Sequence, residues 1–196
     1  MKPILCFLFL LGAIVARAQD LQSFDSAPFS FHIGAPLTWK LLPASFPIEK
    51  YELQNKNLFK MVETETNVPI IRIVKPVAGN GTISPAVQVF VESSEGQSPV
   101  EFLASTEASA EVGFQNFQLV QKPTVTNLNG APAAYTESTF VTVYPGARRF
   151  DTLSRVWAIP RGKMMFVISI SGQPDDLKAL DNEVRMILGT VKFTHE

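Results

Sequence analysis

The chain has 196 residues, of which 46% are hydrophobic and 18% are charged, and its formal net charge is −1. This length and composition predict a single globular domain with a sizeable apolar core. No dense stripe of Lys and Arg is present to neutralise phosphates, which argues against a nucleic-acid partner.

The first eighteen residues have the pattern of a cleavable export signal. Lys2 supplies a positive start, residues 4–15 form an apolar run, and residues 16–18 place alanines at the −3 and −1 positions of a cleavage site. The run is too short to span a bilayer of about 30 Å as a permanent anchor. We therefore expect cleavage between Ala18 and Gln19, and a periplasmic or extracellular mature chain without a stable membrane anchor.

The only cysteine, Cys6, lies within the apolar run. A lipoprotein signal carries its cysteine at the cleavage point, so Cys6 does not predict lipid anchoring. The mature chain would then contain no thiol, and a hydrophobic core rather than disulfides would stabilise it. Asn80 begins an Asn-Gly-Thr glycosylation triplet, and whether it is modified depends on the host.

Residues 19–28 are polar and are expected to form a flexible leader before a single domain of residues 29–196. Prolines divide the first part of this domain into short extended segments. Alternating and β-branched patterns predict strands at residues 29–33, 39–42, 59–65, 70–74 and 86–91. The number of strands within residues 51–68 stays open.

A helix is predicted from residue 99 to Gly113. Ser98 and Glu101 have the spacing of a capping box, with Pro99 at the first helical position. Five apolar side chains follow at helical spacing and are expected to face the core: Val100, Leu103, Ala104, Ala108 and Val112.

A β-meander is predicted after this helix. Asn129 and Gly130 form a strong hairpin signal because both residues tolerate positive φ. The remaining strands are expected at residues 117–120, 124–126, 134–143, 150–159 and 164–171. The last of these is apolar on both faces, which is typical of a central strand covered on both sides.

A second helix is predicted from Pro174 to Gly189, followed by a short strand at residues 191–193. Its apolar positions are Leu177, Leu180, Val184, Ile187 and Leu188. Together these elements predict the α+β class, with a central antiparallel β-sheet flanked by helices.

Three segments resemble the superfamily shared by PsbP, the Ran-binding protein Mog1 and the bacterial envelope protein DcrB. Residues 31–39 combine an apolar strand, a proline and a tryptophan; residues 155–171 form paired strands; and residues 177–193 form a closing helix with an aromatic strand. The resemblance implies a Mog1p/PsbP-like α/β/α sandwich. It also implies a non-enzymatic protein that binds a protein partner or assists a membrane assembly, and it transfers no site residue.

Residue patterns for catalysis or metal binding are missing from the sequence. His32 and His195 are far apart, no G-x-S-x-G motif is present, and no Gly-rich phosphate loop opens a helix. The pair Glu63 and Glu65 has polar neighbours, as expected of a solvated strand face. We therefore predict no catalytic residue, no cofactor and no metal site.

Two features remain as candidate binding surfaces. Leu153, Trp157 and Ile159 share one strand face, and they either pack under a helix or line a groove for a ligand or partner. Four basic residues flank the predicted turns: Arg148, Arg149, Arg161 and Lys163. Successive turns of a meander lie at opposite ends of a sheet, so these cations are expected to form no single patch.

The leading hypothesis is an exported, non-catalytic binding or assembly module of the bacterial envelope that acts through a protein partner. The alternative is a small-ligand or lipid carrier with an apolar cavity between sheet and helices, lined by Met164, Phe166, Leu177 and Val184. An unrecognised hydrolase is the third hypothesis, and it would require a cleft with two polar catalytic groups in hydrogen-bond reach.

Overall fold

The computed structural model describes residues 20–43, 68–77, 82–144 and 148–194. The predicted export signal, the predicted strand at residues 59–65, Asn80 and His195 lie outside the described residues. The strands are β1 (Leu21–Ser26), β2 (Phe31–Pro36), β3 (Lys40–Pro43), β4 (Ile71–Val74), β5 (Ala86–Ser93), β6 (Gln115–Leu128), β7 (Ala131–Tyr144), β8 (Arg148–Arg161), β9 (Met164–Gly172) and β10 (Lys192–Phe193). The helices are α1 (Pro99–Gly113), α2 (Pro174–Ala179) and α3 (Asp181–Gly189).

The strands form two antiparallel sheets. The larger has the order β3-β4-β5-β9-β8-β7-β6, and the smaller has the order β1-β2-β10. The predicted α+β class, a sheet flanked by helices, is confirmed, and the small sheet is an addition to it.

The expectation of a flexible leader is wrong for residues 21–26. This segment is strand β1, which pairs with β2 from Leu21 opposite Pro36 to Ser26 opposite Phe31. Most of its side chains are polar because one face of the strand is exposed, while Phe24 packs against the core. Backbone hydrogen bonds to β2 order this segment, although its composition alone predicts no strand.

One face of the large sheet, here called the core face, packs against the small sheet, α2 and α3. Strands β5 and β9 contribute Val87, Val89, Phe166, Ile168 and Ile170, which lie in the same cluster as Phe31 and Ile33 of β2. Four of the five predicted helix positions are buried here: Leu177, Val184, Ile187 and Leu188. Burial of each large apolar side chain contributes about 1.5–3 kcal/mol to folding.

The opposite face, here called the α1 face, is covered by α1 through a smaller cluster. Phe102 and Leu103 pack with Ala158, Met165 and Val167. Met165 is 0% exposed and its neighbour Phe166 is 1% exposed, on the other face. These values confirm that β9 is covered on both sides.

The start of α1 is as predicted, but its apolar face is not. The Ser98 hydroxyl accepts a hydrogen bond from the Glu101 backbone N–H (3.3 Å), and the Glu101 carboxylate accepts one from Ser98 N–H (2.9 Å), so the capping box is confirmed. Leu103 is buried, whereas Val112 is 89% exposed. The predicted positions Ala104 and Ala108 are exposed as well. The orientation of the helix on the sheet places positions 102, 103 and 107 inward.

The single helix predicted after Pro174 is divided in two. Leu180 ends α2 and precedes α3 with a ψ of 8°, outside the helical range. Asp181 then begins α3 and accepts a hydrogen bond from Arg155 Nη1 of β8 (3.2 Å). This contact holds the corner between the two helices against the sheet.

Candidate functional site

The groove predicted at Leu153, Trp157 and Ile159 is not formed by these side chains. Leu153 and Ile159 are 9% and 0% exposed and belong to the core cluster. Trp157 is half-buried and packs against the ring of Tyr135, with 4.8 Å between ring centroids. Leu153 and Ile159 therefore pack in the core, and the half-buried Trp157 packs against its edge.

A polar cluster that the sequence analysis missed lies beside Trp157. Tyr135 donates a hydrogen bond to Glu137 Oε2 (2.6 Å), and Arg155 bridges Glu137 and Asp181 at 3.2 Å each. Burial raises the pKa of Tyr135, and the adjacent Glu137 carboxylate raises it further. Glu137 and Arg155 are cross-strand partners in β7 and β8, so only the strand register could reveal the pair. These groups satisfy one another and fix α3 on the sheet.

The basic residues at the predicted turns lie at opposite ends of β8, as expected. Arg148 begins the strand and Arg161 ends it. At a rise of about 3.3 Å per residue, the two residues lie roughly 40 Å apart. The turns that precede β2, β7 and β9 meet at the Arg161 end and line two adjoining pockets. These two pockets are here called the turn-end site.

The first pocket, here called the aromatic pocket, has a volume of about 410 Å³. Its lining residues are Pro28, Phe29, Ser30, Pro160, Arg161, Gly162, Met164, Phe166 and Phe193. Phe166 contacts Phe193 edge-on at 4.9 Å between ring centroids and Phe29 edge-on at 6.2 Å. Edge-on ring contacts are a favoured packing geometry, so the pocket walls are held by the core itself.

The second pocket, here called the strand-edge pocket, has a volume of about 400 Å³ and lies between β10 and the turn that joins β6 to β7. Its lining residues are Leu128, Asn129, Gly130, Ala131, Pro132, Arg161, Gly189, Val191, Lys192 and Phe193. Asn129 and Gly130 have φ values of 51° and 88°, which confirms the predicted hairpin. The Asn129 amide donates to Leu188 O (2.6 Å) and Val191 O (3.2 Å) and joins this turn to the start of β10.

Arg161 and Phe193 line both pockets. The Arg161 guanidinium carbon lies 4.2 Å from the centroid of the Phe193 ring, a cation–π geometry. The lining residues include a second cation, Lys192, and none of those within the described ranges is acidic. The sequence predicts Arg161 only as a turn charge, because β10 reaches Arg161 through pairing with β2 and not through proximity in sequence. The site thus joins an apolar surface to positive charge.

The enclosed cavity expected for a small-ligand carrier is not formed by its four predicted residues. Leu177 and Val184 are 0% and 2% exposed and are packed within the core. Met164 and Phe166 instead line the aromatic pocket, which opens to solvent at the end of the sheet.

Two groups with acid–base potential elsewhere in the described residues, Glu107 and His32, are covered or paired. Glu107 lies on the inward side of α1 and is 7% exposed, and its Oε2 atom has no hydrogen-bond partner among the described residues. Burial raises the pKa of Glu107, and the facing hydroxyls of Thr136 and Ser138 oppose that shift. His32 Nδ1 lies 2.7 Å from Asp25 Oδ1 on the small sheet.

Two kinds of feature are absent from the described residues. Residues 20–43, 68–77, 82–144 and 148–194 contain no group of three or more His, Cys, Asp or Glu side chains placed to hold a metal ion. Within the same ranges, no helix has the length and apolar character needed to cross a membrane.

Comparison with known proteins gives matches among solved structures. No family model and no curated protein sequence matches this chain. LpqN of Mycobacterium tuberculosis, involved in cell envelope biogenesis, has a TM-score of 0.54 at 16% identity and covers 90% of this chain and 92% of its own. Cyanobacterial PsbP (CyanoP) of Synechocystis has a TM-score of 0.53 at 10% identity, with coverages of 93% and 98%. The chain has the PsbP/Mog1-like fold.

The yeast Ran-binding protein Mog1p adds a third match to this fold. Its TM-score is 0.52 at 11% identity, and the match covers 90% of this chain and 97% of Mog1p. The resemblance stated from residues 31–39, 155–171 and 177–193 is thus confirmed at the level of fold. At these identities the PsbP/Mog1-like fold carries no site residue from one protein to another.

Proposed function

We propose that this chain is an exported, non-catalytic binding or assembly module of the bacterial envelope that acts through a protein partner. The partner would bind at the turn-end site. The observation that carries the proposal is the combination of an aromatic pocket with two cationic side chains, Arg161 and Lys192. Aromatic side chains and Arg are the residues most enriched at the energetic centres of protein interfaces.

The solved structures with this fold support a binding role. Mog1p is a Ran-binding protein, and LpqN is involved in cell envelope biogenesis. The export pattern of residues 1–18 supports a location in the envelope for this chain. The predicted absence of a catalytic residue and of a cofactor is part of this proposal.

A small-ligand carrier is the second candidate, and one observation favours it. The aromatic pocket has a volume of about 410 Å³, which lies within the range of small-molecule sites. The ligand would then sit at the turn end rather than between sheet and helices.

In-cell crosslinking of the tagged mature chain in its native host, followed by mass spectrometry, tests the proposal. We expect one envelope protein to be enriched repeatedly with wild type and depleted with Arg161→Gln. Arg148→Gln is the matched control, because it removes an arginine from the other end of the same strand. Recovery of no protein other than the chain itself would contradict the proposal and favour the carrier.

Mass spectrometry of the exported chain tests the predicted compartment separately. We expect a mature N-terminus at Gln19 in the envelope or culture-fluid fraction. An intact Met1 in a cytoplasmic fraction would contradict export.

A further inference from the structure

The outer edge of β10 faces the strand-edge pocket. Strand β10 pairs with β2 only on one side, because the small sheet has the order β1-β2-β10. Thr194 N–H donates to Ser30 O (2.9 Å), and Lys192 pairs with His32 two residues earlier. Antiparallel pairing alternates, so the N–H and C=O of the intervening Phe193 point away from β2.

The Asn129 amide shows which way this outer edge points. Asn129 belongs to the turn on the other wall of the strand-edge pocket, and its Nδ2 donates to Val191 O. On one edge of a strand, the C=O of one residue lies beside the N–H of the second residue after it. The Phe193 N–H therefore lies next to this contact, on the same side as the pocket.

The charges and the walls of the site define what fits it. Arg161 is held over the Phe193 ring at 4.2 Å, between the two pockets, and Lys192 lines the strand-edge pocket. Guanidinium and ammonium groups bind carboxylates through charge-assisted hydrogen bonds. Phe29, Met164 and Phe166 give the adjoining pocket an apolar wall.

We propose that the turn-end site binds an extended peptide segment of a protein partner that carries a carboxylate next to a large apolar side chain. The carboxylate contacts Arg161 and Lys192, the apolar side chain enters the aromatic pocket, and the segment's backbone pairs with Phe193 at the edge of β10. Because the Phe193 peptide groups point away from β2, this edge favours a peptide over a fatty acid, which has no backbone to pair. The occupant assigned here rests on the proposed function.

Selection from a random peptide library displayed on phage, against the immobilised mature chain, tests the assignment. We expect selected peptides to combine Asp or Glu with an adjacent aromatic or large aliphatic residue. Their affinity, measured by fluorescence anisotropy of labelled synthetic copies, should fall about tenfold with Arg161→Gln. Lys192→Gln should give a smaller loss, and Arg148→Gln should give none.

Charge reversal gives a second, independent result. Selection against Arg161→Glu should lose the acidic preference and favour Lys or Arg beside the apolar residue. Thermal unfolding of each variant establishes that the chain is folded. If the reversed variant fails to fold, the comparison of Arg161→Gln with Arg148→Gln decides alone.

Three outcomes would overturn the assignment: selected peptides without acidic enrichment, selected peptides whose affinity is unchanged in Arg161→Gln, or palmitate that binds more tightly than the selected peptides. A crosslinked envelope protein together with any of these outcomes would leave the proposed function standing and remove only the segment assigned here. Failure of both the in-cell crosslinking and the peptide selection would remove both proposals.

Discussion

The two faces of the large sheet are covered by different chemistry. On the core face, the small sheet, α2 and α3 bury a continuous apolar cluster that includes Phe31, Phe166 and Ile168. On the α1 face, one helix covers a smaller cluster beside a row of buried hydroxyl side chains. These hydroxyls belong to Thr136, Ser138, Thr152 and Ser154. The core face therefore carries most of the apolar burial that stabilises the fold.

A glutamate near each face illustrates the difference, because the pKa values of Glu183 and Glu107 are shifted in opposite directions. Burial alone would raise the pKa of Glu183 near the core face, but hydrogen bonds from Lys75, Trp39 and Thr38 and the Lys75 charge lower it. Lys75 Nζ lies 2.8 Å from the Glu183 carboxylate. Glu107 on the α1 face has no cation partner recorded among the described residues, and burial raises its pKa. The partner of a carboxyl group, more than its depth, decides the sign.

The largest expected effects are losses of core side chains. Phe166→Ala should lower the free energy of unfolding by about 3–5 kcal/mol, because the ring contacts Phe29, Phe31 and Phe193. Leu103→Ala on the α1 face should lower it by about 2 kcal/mol, near the lower end of the range for such truncations. Urea unfolding of both variants measures the difference. An equal or larger loss for Leu103→Ala would contradict the ranking of the two faces.

Loss of the Glu183 charge should have the next largest effect. Glu183→Gln should lower the free energy of unfolding at neutral pH by about 1 kcal/mol, because Lys75 and Trp39 lose a charged acceptor. A lowered folded-state pKa gives stability that is present above the unfolded pKa and lost as the pH falls through the folded pKa. Wild type should therefore lose more stability on acidification than Glu183→Gln. If the free energy of unfolding falls equally with pH in the two proteins, the Glu183 charge makes no such contribution.

A smaller effect of opposite sign is expected at Glu107. A raised folded-state pKa stabilises the protein below the unfolded pKa, and this stability is lost as the pH rises through the folded pKa. Glu107→Gln keeps the shape and removes the charge, so it should stabilise the fold at pH 7–8 by about 1 kcal/mol. Unfolding measured from pH 4 to pH 8 checks the sign. Burial also raises the pKa of Glu92. The free energy of unfolding of Glu107→Gln should therefore still fall as the pH rises, but less steeply than that of wild type.

The smallest effect is expected where α1 faces solvent. Val112 is 89% exposed, and Val112→Ala should change the free energy of unfolding by no more than about 0.5 kcal/mol. This variant is the control for Leu103→Ala, because both truncate an apolar side chain on the same helix. A loss as large as that of Leu103→Ala would mean that α1 packs in a different orientation.

Local signals were enough to predict several elements. The capping box at Ser98, the Asn129-Gly130 turn and the two apolar faces of β9 each depend on residues close together in sequence. Strand β1 escaped prediction because its order comes from pairing with β2 rather than from its polar composition. The inward position of Glu107 was not predicted, because packing on the sheet, and not helical spacing alone, sets which side of α1 is buried.

The candidate site escaped prediction for a similar reason. Arg161 and Phe193 are 4.2 Å apart in the structure but lie in different sheets and far apart in sequence. Their contact requires the long return of the chain from β9 through α2 and α3 to β10. No motif marks such a site. The apolar face that includes Leu153 and Ile159 was predicted as a candidate surface because its pattern is regular.

Site-specific photo-crosslinking in the native host tests the turn-end site most directly. Benzoylphenylalanine would replace Met164, which lines the aromatic pocket, or Val143, which is 47% exposed near the opposite end of the sheet. We expect the envelope partner to be captured from position 164 and not from position 143. Capture from position 143 alone, or equally from both positions, would contradict the assignment of partner binding to the turn end.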